Sequence, residues 1–358
     1  MYIYIICLCL SLLIFIISNK IRNNTVRRVL RYFIILPFIL VSAIRFNVGS
    51  DFYNRYLLDF YKIANGFDVE NIEIGFKIFI KFCLMLSNNS QILFILTSFI
   101  VNFFVCYAIN KYSKNIPLSI FIYLFGGFFF FSMNGIRQFW AMSIILSSYE
   151  FVNKTRKDKI FFLFILCLAS LIHESALVFL ILVFIPKVII TNYKLQFYLV
   201  SMLSIVLTFF GDKLFILLGK IMSFTRFNVY FVGYYARGEI SWLYLFVNFA
   251  IYLFFFLNFK KNKDNNYKNY FIIQAFALLF TSAQSIHMLF SRISYYFTIF
   301  QILSVPFFLE KFNYNGKIIN RTKLKFLVVI CYMLLLFYTN IINNDNQPLP
   351  YHTYFEYI

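Results

Sequence analysis

The segment from Arg45 to Tyr56 reads R-F-N-V-G-S-D-F-Y-N-R-Y and puts charge, a carboxylate and aromatic hydroxyls at the end of an apolar run. Gly49 permits a sharp turn, and Asp51 follows it. Tyr53 and Tyr56 offer hydroxyls and flat faces that can stack on sugar rings. Similar polar groups recur wherever other apolar runs end: Glu73, Arg137 with Gln138, His173 with Glu174, Arg237, and Arg292. The bland account is an interfacial belt of anchoring side chains. A charge at a span end is costly, however, unless it faces a bundle interior or a wet cavity. Arginine pairs with diphosphate oxygens in two places at once. A carboxylate or a histidine can take a proton from an attacking sugar hydroxyl. Together these are the needs of glycosyl transfer from a polyprenyl-diphosphate donor at the outer face of a membrane. Asp51, Glu73 and His173 are the candidate catalytic residues. Arg45, Tyr53, Arg137, Gln138, Arg237 and Arg292 are the candidate substrate ligands.

The elements that must position them are membrane helices. The 358-residue chain is 61% hydrophobic and only 13% charged, with a mean hydropathy of +0.76; a soluble domain cannot hide that much apolar surface. The apolar runs lack the alternation of a transmembrane barrel. Basic loops at Lys20 to Arg31, Lys111 to Lys114, Lys154 to Lys159, Lys260 to Lys268 and Lys311 to Lys325 set the cytoplasmic side. The expectation is an all-α polytopic bundle of about twelve crossings with both termini outside. It is read as a single transmembrane domain over 1–358, with external loops at 45–75 and 211–241. Tyr2 to Ser18 reads as a first transmembrane helix. Phe76 to Leu86 is short and carries Lys77 and Lys81, so a re-entrant or interfacial helix is expected there.

Several classes are excluded by what is missing. The six cysteines lie in apolar runs and form no C-x-x-C pair, so neither disulfide nor metal site is expected. There is no P-loop, no H-E-x-x-H and no D-x-D. No metal or cofactor is called for. The net charge of +19 reports loop asymmetry in a membrane protein and gives no reason to expect nucleic acid.

Four motifs in order, R-F-N-V-G-S-D-F-Y from Arg45, E-I-G-F from Glu73, N-G-I-R-Q-F-W-A from Asn134 and L-I-H-E-S-A-L from Leu171, resemble the EpsG-type, Wzy-like membrane polymerases of bacterial surface polysaccharides. The S-R-I-S-Y-Y-F segment around Arg292 agrees more weakly. The resemblance implies a multi-pass protein of the bacterial plasma membrane. It implies a glycosyltransferase that joins undecaprenyl-diphosphate-linked repeat units into O-antigen, capsule or exopolysaccharide. A chain-length regulator and a flippase of the same pathway would be its candidate partners. Two other classes are weighed. A flippase for the lipid-linked unit should carry its charges through the bundle centre, whereas here they stay at one end. A membrane O-acyltransferase would need an acyl donor to reach His173 from the cytoplasmic side.

Overall fold

A computed structural model describes residues 1–70, 72–151, 155–184, 192–222, 240–259, 265–312 and 321–356. Among these the regular secondary structure is helical apart from one two-residue antiparallel pairing. It forms two compact units, Met1–Leu180 with Leu327–Ile358, and Ile181–Phe326; no linker in the sequence marks this division.

The first unit begins with α1 (Tyr2–Lys20), an unbroken apolar helix that ends on a lysine. The second helix, α2 (Asn24–Tyr32), starts where the Asn23 side chain accepts from the amides of Thr25 and Val26, satisfying groups that a helix start leaves open. It leads through a 3₁₀ turn into α3 (Leu36–Ala43). The external segment expected at 45–75 is partly helical, with a π-helical turn over Phe52–Leu57 and α4 (Leu58–Ala64). Next come α5 (Ile74–Leu86) and α6 (Gln91–Tyr112). At 22 residues, α6 is about 33 Å long, enough for a bilayer core; α5, with 13 residues, is not. The apolar run after Ile116 is bent by 53° between α7 (Ile116–Phe125) and α8 (Phe128–Asn134). Gly127 makes this bend possible, since its φ of +77° is strained for any residue with a Cβ. Then α9 (Ile136–Ser147) runs through the interior, with most of its side chains buried. Last, α10 (Arg156–Ile172) opens on a reciprocal cap between Thr155 and Asp158.

These helices pack so that α9 lies against α6 and α10, while α5 touches α4, α6 and α10. The ends of α5, α9 and α10 are therefore brought together. Residues beyond Leu336 fold back onto the same region. Arg45 and Phe46 (β1) pair with Thr353 and His352 (β2), the Tyr4 hydroxyl donates to the Pro348 carbonyl, and the Gly49 amide donates to that of Gln347.

The second unit contains helices Tyr193–Met222, Trp242–Asn258, Asn265–Ser282, Leu289–Thr298 and Gln301–Lys311. A buried amide cluster ties three of them: Asn248 Oδ1 accepts from Gln274 at 2.9 Å and Gln301 at 2.7 Å. The helix from Tyr193 continues to Met222, past residue 211 where the expected external loop 211–241 begins; residues 223–239 of that loop lie outside the described residues. Among the described residues four helices are long and apolar enough to cross a membrane, or six if each bent pair is one span.

Candidate active site

Glu73 is the hinge of the site. It is the N-cap residue of α5, extended at φ −63° and ψ 143°, and its carbonyl accepts from Phe76 and Lys77. Its carboxylate points away from its own helix to two others. Arg137 in the first turn of α9 donates from Nη1 to Glu73 Oε2 at 2.5 Å. His173, the C-cap of α10, places Nδ1 2.6 Å from Glu73 Oε1. The Glu174 amide lies 3.4 Å from the same oxygen. Three of the four sequence motifs thus meet at one carboxylate.

Gly75 lets them meet. A Cβ there would stand 2.6 Å from the Leu171 carbonyl oxygen and 2.9 Å from its carbon. Only glycine allows the start of α5 to approach the end of α10 this closely. The glycine of E-I-G-F therefore serves the histidine of L-I-H-E.

Electrostatics explain the arrangement. A guanidinium in the first turn of a helix sits at the positive end of the helix dipole, where a cation is disfavoured without an anion beside it. Glu73 supplies that anion, and the Phe76 ring lies 5.9 Å from the Arg137 guanidinium carbon. Burial alone would raise the Glu73 pKa, but the hydrogen bond from His173 and the charge of Arg137 outweigh it, and the value falls to about 2. Glu73 is therefore an ionised acceptor. His173 must then carry a proton on Nδ1 to donate to it, and in the neutral form of the ring Nε2 is the accepting nitrogen.

A second layer surrounds Arg137. Tyr56 is buried, and burial pushes its hydroxyl up to about 12; the nearby Asp51 charge acts in the same direction, against the Arg137 charge and the amides of Arg137 and Ile136. The carboxyl of Asp59 is raised by burial despite the opposing charges of Arg137, Arg55 and Lys62. In the sequence Tyr56 read as a face for stacking on a sugar and Asp59 did not stand out, although Y-x-x-D on one helical face was a legible signal for the pair.

The first motif joins through Asn134. Its Oδ1 accepts from the Asp51 amide at 3.0 Å and the Ser50 hydroxyl at 3.1 Å, and its Nδ2 donates to Asn346 at 3.2 Å. Gly49, at φ +100°, passes within 3.3 Å of the Asn134 Cα when a Cβ is built on it. Asp51 is half-buried, and among the described residues its carboxylate accepts no hydrogen bond.

The remaining candidates fall differently. Arg45 is 1% exposed. Its guanidinium donates to the carbonyls of Ser42 and Met133, approaches the Ser98 hydroxyl and lies over the Phe94 ring. It is thus engaged by the chain itself. Gln138 is buried. Tyr53 is 42% exposed and rests edge-on against Phe46 and Phe52. Arg292 is exposed on helix Leu289–Thr298 of the second unit, and Arg237 lies outside the described residues. His287, just before helix Leu289–Thr298, is buried, with Nδ1 accepting from the Leu289 amide. No group of three or more His, Cys, Asp or Glu suited to a metal occurs among the described residues.

An all-α protein with several apolar spans and a half-buried Arg–Glu–His constellation where three helix ends meet is an integral membrane protein with a polar site. The EpsG family model matches residues 28–353, which contain every motif of that site, and the chain belongs to this family, implicated in exopolysaccharide biosynthesis. Comparison with curated proteins gives no match. Comparison with solved structures gives none either.

Proposed function

We propose that the protein is a Wzy-type polymerase that joins undecaprenyl-diphosphate-linked repeat units at the outer face of the plasma membrane. The observation that carries this reading is Glu73 held between Arg137 and His173. In the reaction, a hydroxyl of the acceptor unit attacks the anomeric carbon of the donor glycan. The bond from that carbon to the diphosphate oxygen breaks, and undecaprenyl diphosphate leaves with the electron pair. His173 takes the acceptor proton on Nε2, while Glu73 fixes the ring and stabilises the imidazolium that forms. Glu73 itself makes a poor base, because both its oxygens are engaged and its conjugate acid is strong. Asp51, with its carboxylate free of hydrogen bonds among the described residues, is the rival base. Arg45 serves the scaffold of this site. For the leaving diphosphate, Arg237 and Arg292 are proposed from the sequence alone.

The test replaces His173 by Asn, which still donates to Glu73 but cannot take a proton, and compares it with Asp51→Asn. Surface glycan is profiled on gels beside an immunoblot of the membrane fraction. A His173 base leaves single ligated repeat units and no long chains in His173→Asn at normal protein level. Long chains in that variant, and none in Asp51→Asn, transfer the role to Asp51. Lipid-linked units trapped on the cytoplasmic side would indicate a flippase instead. The proposed orientation, with both termini outside, is checked with an impermeant thiol reagent on intact cells. Ser50→Cys should react and Thr155→Cys should not.

A further inference from the structure

The basic end of the first unit carries a cavity that the reaction above does not use. It has a volume of about 270 Å³ and is lined by Arg28, Arg31, Tyr32, Tyr107, Asn110 and Lys111. These come from α2 and from the last turns of α6, on the side set as cytoplasmic by its basic loops. Lys111 is already held by Glu150 and the Tyr107 hydroxyl, so its charge is offset locally. Arg31 gives one nitrogen to Asn19 at 3.0 Å, while its Nε is buried with no partner among the described residues. Asn110 Oδ1 is likewise buried and unpaired among them. Arg28 is exposed, and it makes no ion pair among the described residues. The cavity therefore holds two arginines in excess of local negative charge.

The surface beside it is apolar and aromatic. Along α6, Ile95, Phe99, Phe103, Tyr107 and Lys111 follow one another at four-residue spacing and so share one face. Phe99 and Phe103 are stacked, with centroids 6.1 Å apart, and Tyr32 stacks on Phe103 at 6.2 Å. Ile95, Phe99, Phe103 and Tyr32 are all exposed. An exposed apolar stripe that ends at a basic cavity matches the shape and chemistry of an anionic phospholipid. Its phosphate meets the arginines, and its acyl chains lie along the rings.

We propose that this cavity is a binding site for the phosphate of an anionic phospholipid of the inner leaflet. Basic pockets between helices on the cytoplasmic side suit such headgroups on general grounds. The aromatic stripe is the reason to choose a lipid over free phosphate.

The experiment uses the full chain in detergent and measures bound lipid by native mass spectrometry at stepwise phosphatidylglycerol concentrations. Phosphatidylcholine and inorganic phosphate serve as comparison probes. Wild type should retain phosphatidylglycerol in preference to phosphatidylcholine, and inorganic phosphate should not displace it. Arg28→Gln/Arg31→Gln should weaken retention about 25-fold, from about fivefold for each basic residue at an anionic surface. Arg28→Lys/Arg31→Lys should recover most of it, which guards against loss through misfolding. Lys20→Gln/Arg22→Gln, which removes the same charge nearby without touching the cavity, should bind as wild type does. Equal weakening in that control reduces the effect to bulk charge and overturns the site. Equal retention by Arg28→Gln/Arg31→Gln also overturns it. Displacement by inorganic phosphate at matching concentration overturns the lipid as the source.

Discussion

Replacing Glu73 by Gln tests the constellation at its centre. The substitution keeps the shape of the side chain and removes its charge. Two donors face the carboxylate, Arg137 on one oxygen and the Nδ1–H of His173 on the other. An amide has only one oxygen to offer, and Arg137 cannot accept a hydrogen bond. The oxygen must therefore turn to Arg137 and the NH₂ to His173. The histidine then has to accept on Nδ1, which moves its own proton to Nε2, the atom proposed to act as base. Loss of a general base costs about 100- to 10,000-fold in rate, or about 2.7 to 5.4 kcal/mol of barrier. The cost in stability is smaller. The Arg137 side chain is 10% exposed and exchanges a charged acceptor for a neutral one, a loss of about 1 to 2 kcal/mol.

These two magnitudes separate in one assay. Purified protein in nanodiscs is given lipid-linked repeat units, and the initial rate of chain formation is measured beside a thermal melt. Glu73→Gln should melt only a few degrees lower, while chain formation falls by at least two decades. His173→Asn should fall similarly. The double variant should be little worse than either, because residues that act as a unit lose their function together. An active His173→Asn beside an inactive Glu73→Gln would make Glu73 the base itself. A normal rate from Glu73→Gln would refute the reasoning altogether.

Three further outcomes follow from the same geometry. Gly75→Ala places a methyl 2.6 Å from the Leu171 carbonyl oxygen; since that atom is backbone and cannot swing aside, the melt should show a loss of about 1 to 3 kcal/mol, and an unshifted melt would mean that the helix ends do not approach this closely. Asn134→Ala removes the acceptor of the Asp51 amide and Ser50 hydroxyl, so a cysteine at Ser50 should react faster with a thiol reagent in that background, and an unchanged rate would show that Asn134 does not hold the turn. Burial alone would raise the Glu73 pKa, but the His173 hydrogen bond and the Arg137 charge bring it from 4.5 down to about 2. Its pairing therefore stabilises the folded protein above about pH 4.5 and loses that effect as the pH falls toward about 2. The melting-temperature gap between wild type and Glu73→Gln should narrow across that window, and a constant gap would contradict the depressed value.

Local signals were the legible part of this protein. Apolar runs and basic loops give helices such as α1, α6 and α10, because period and length are properties of one segment. The motif residues could be named for the same reason: a charged or aromatic group at the end of an apolar run is conspicuous wherever it points. What such a group points at depends on segments far away in the chain. Arg45 and Arg137 look alike in sequence, each at a helix end beside a glycine-containing turn. One is enclosed by the carbonyls of Ser42 and Met133, and the other faces a carboxylate 64 residues away. Glu73 reads as a base until His173, 100 residues on, is found on its oxygen.

Glycine shows the same limit. Gly211, followed by Asp212 and Lys213, looks like the end of a span and the start of a loop. In the structure the helix continues to Met222, and a Cβ on Gly211 would collide with the Ser285 hydroxyl. The residue is there for close packing against a neighbour, as Gly75 is against Leu171, whereas Gly127 and Gly49 are there for a positive φ. Composition cannot distinguish the two uses, because both ask only for the absence of a side chain. A glycine next to charge in an apolar chain is therefore better read first as a point where two helices can meet, and only then as a turn. Read that way, E-I-G-F already contains the instruction that brings Glu73 to His173.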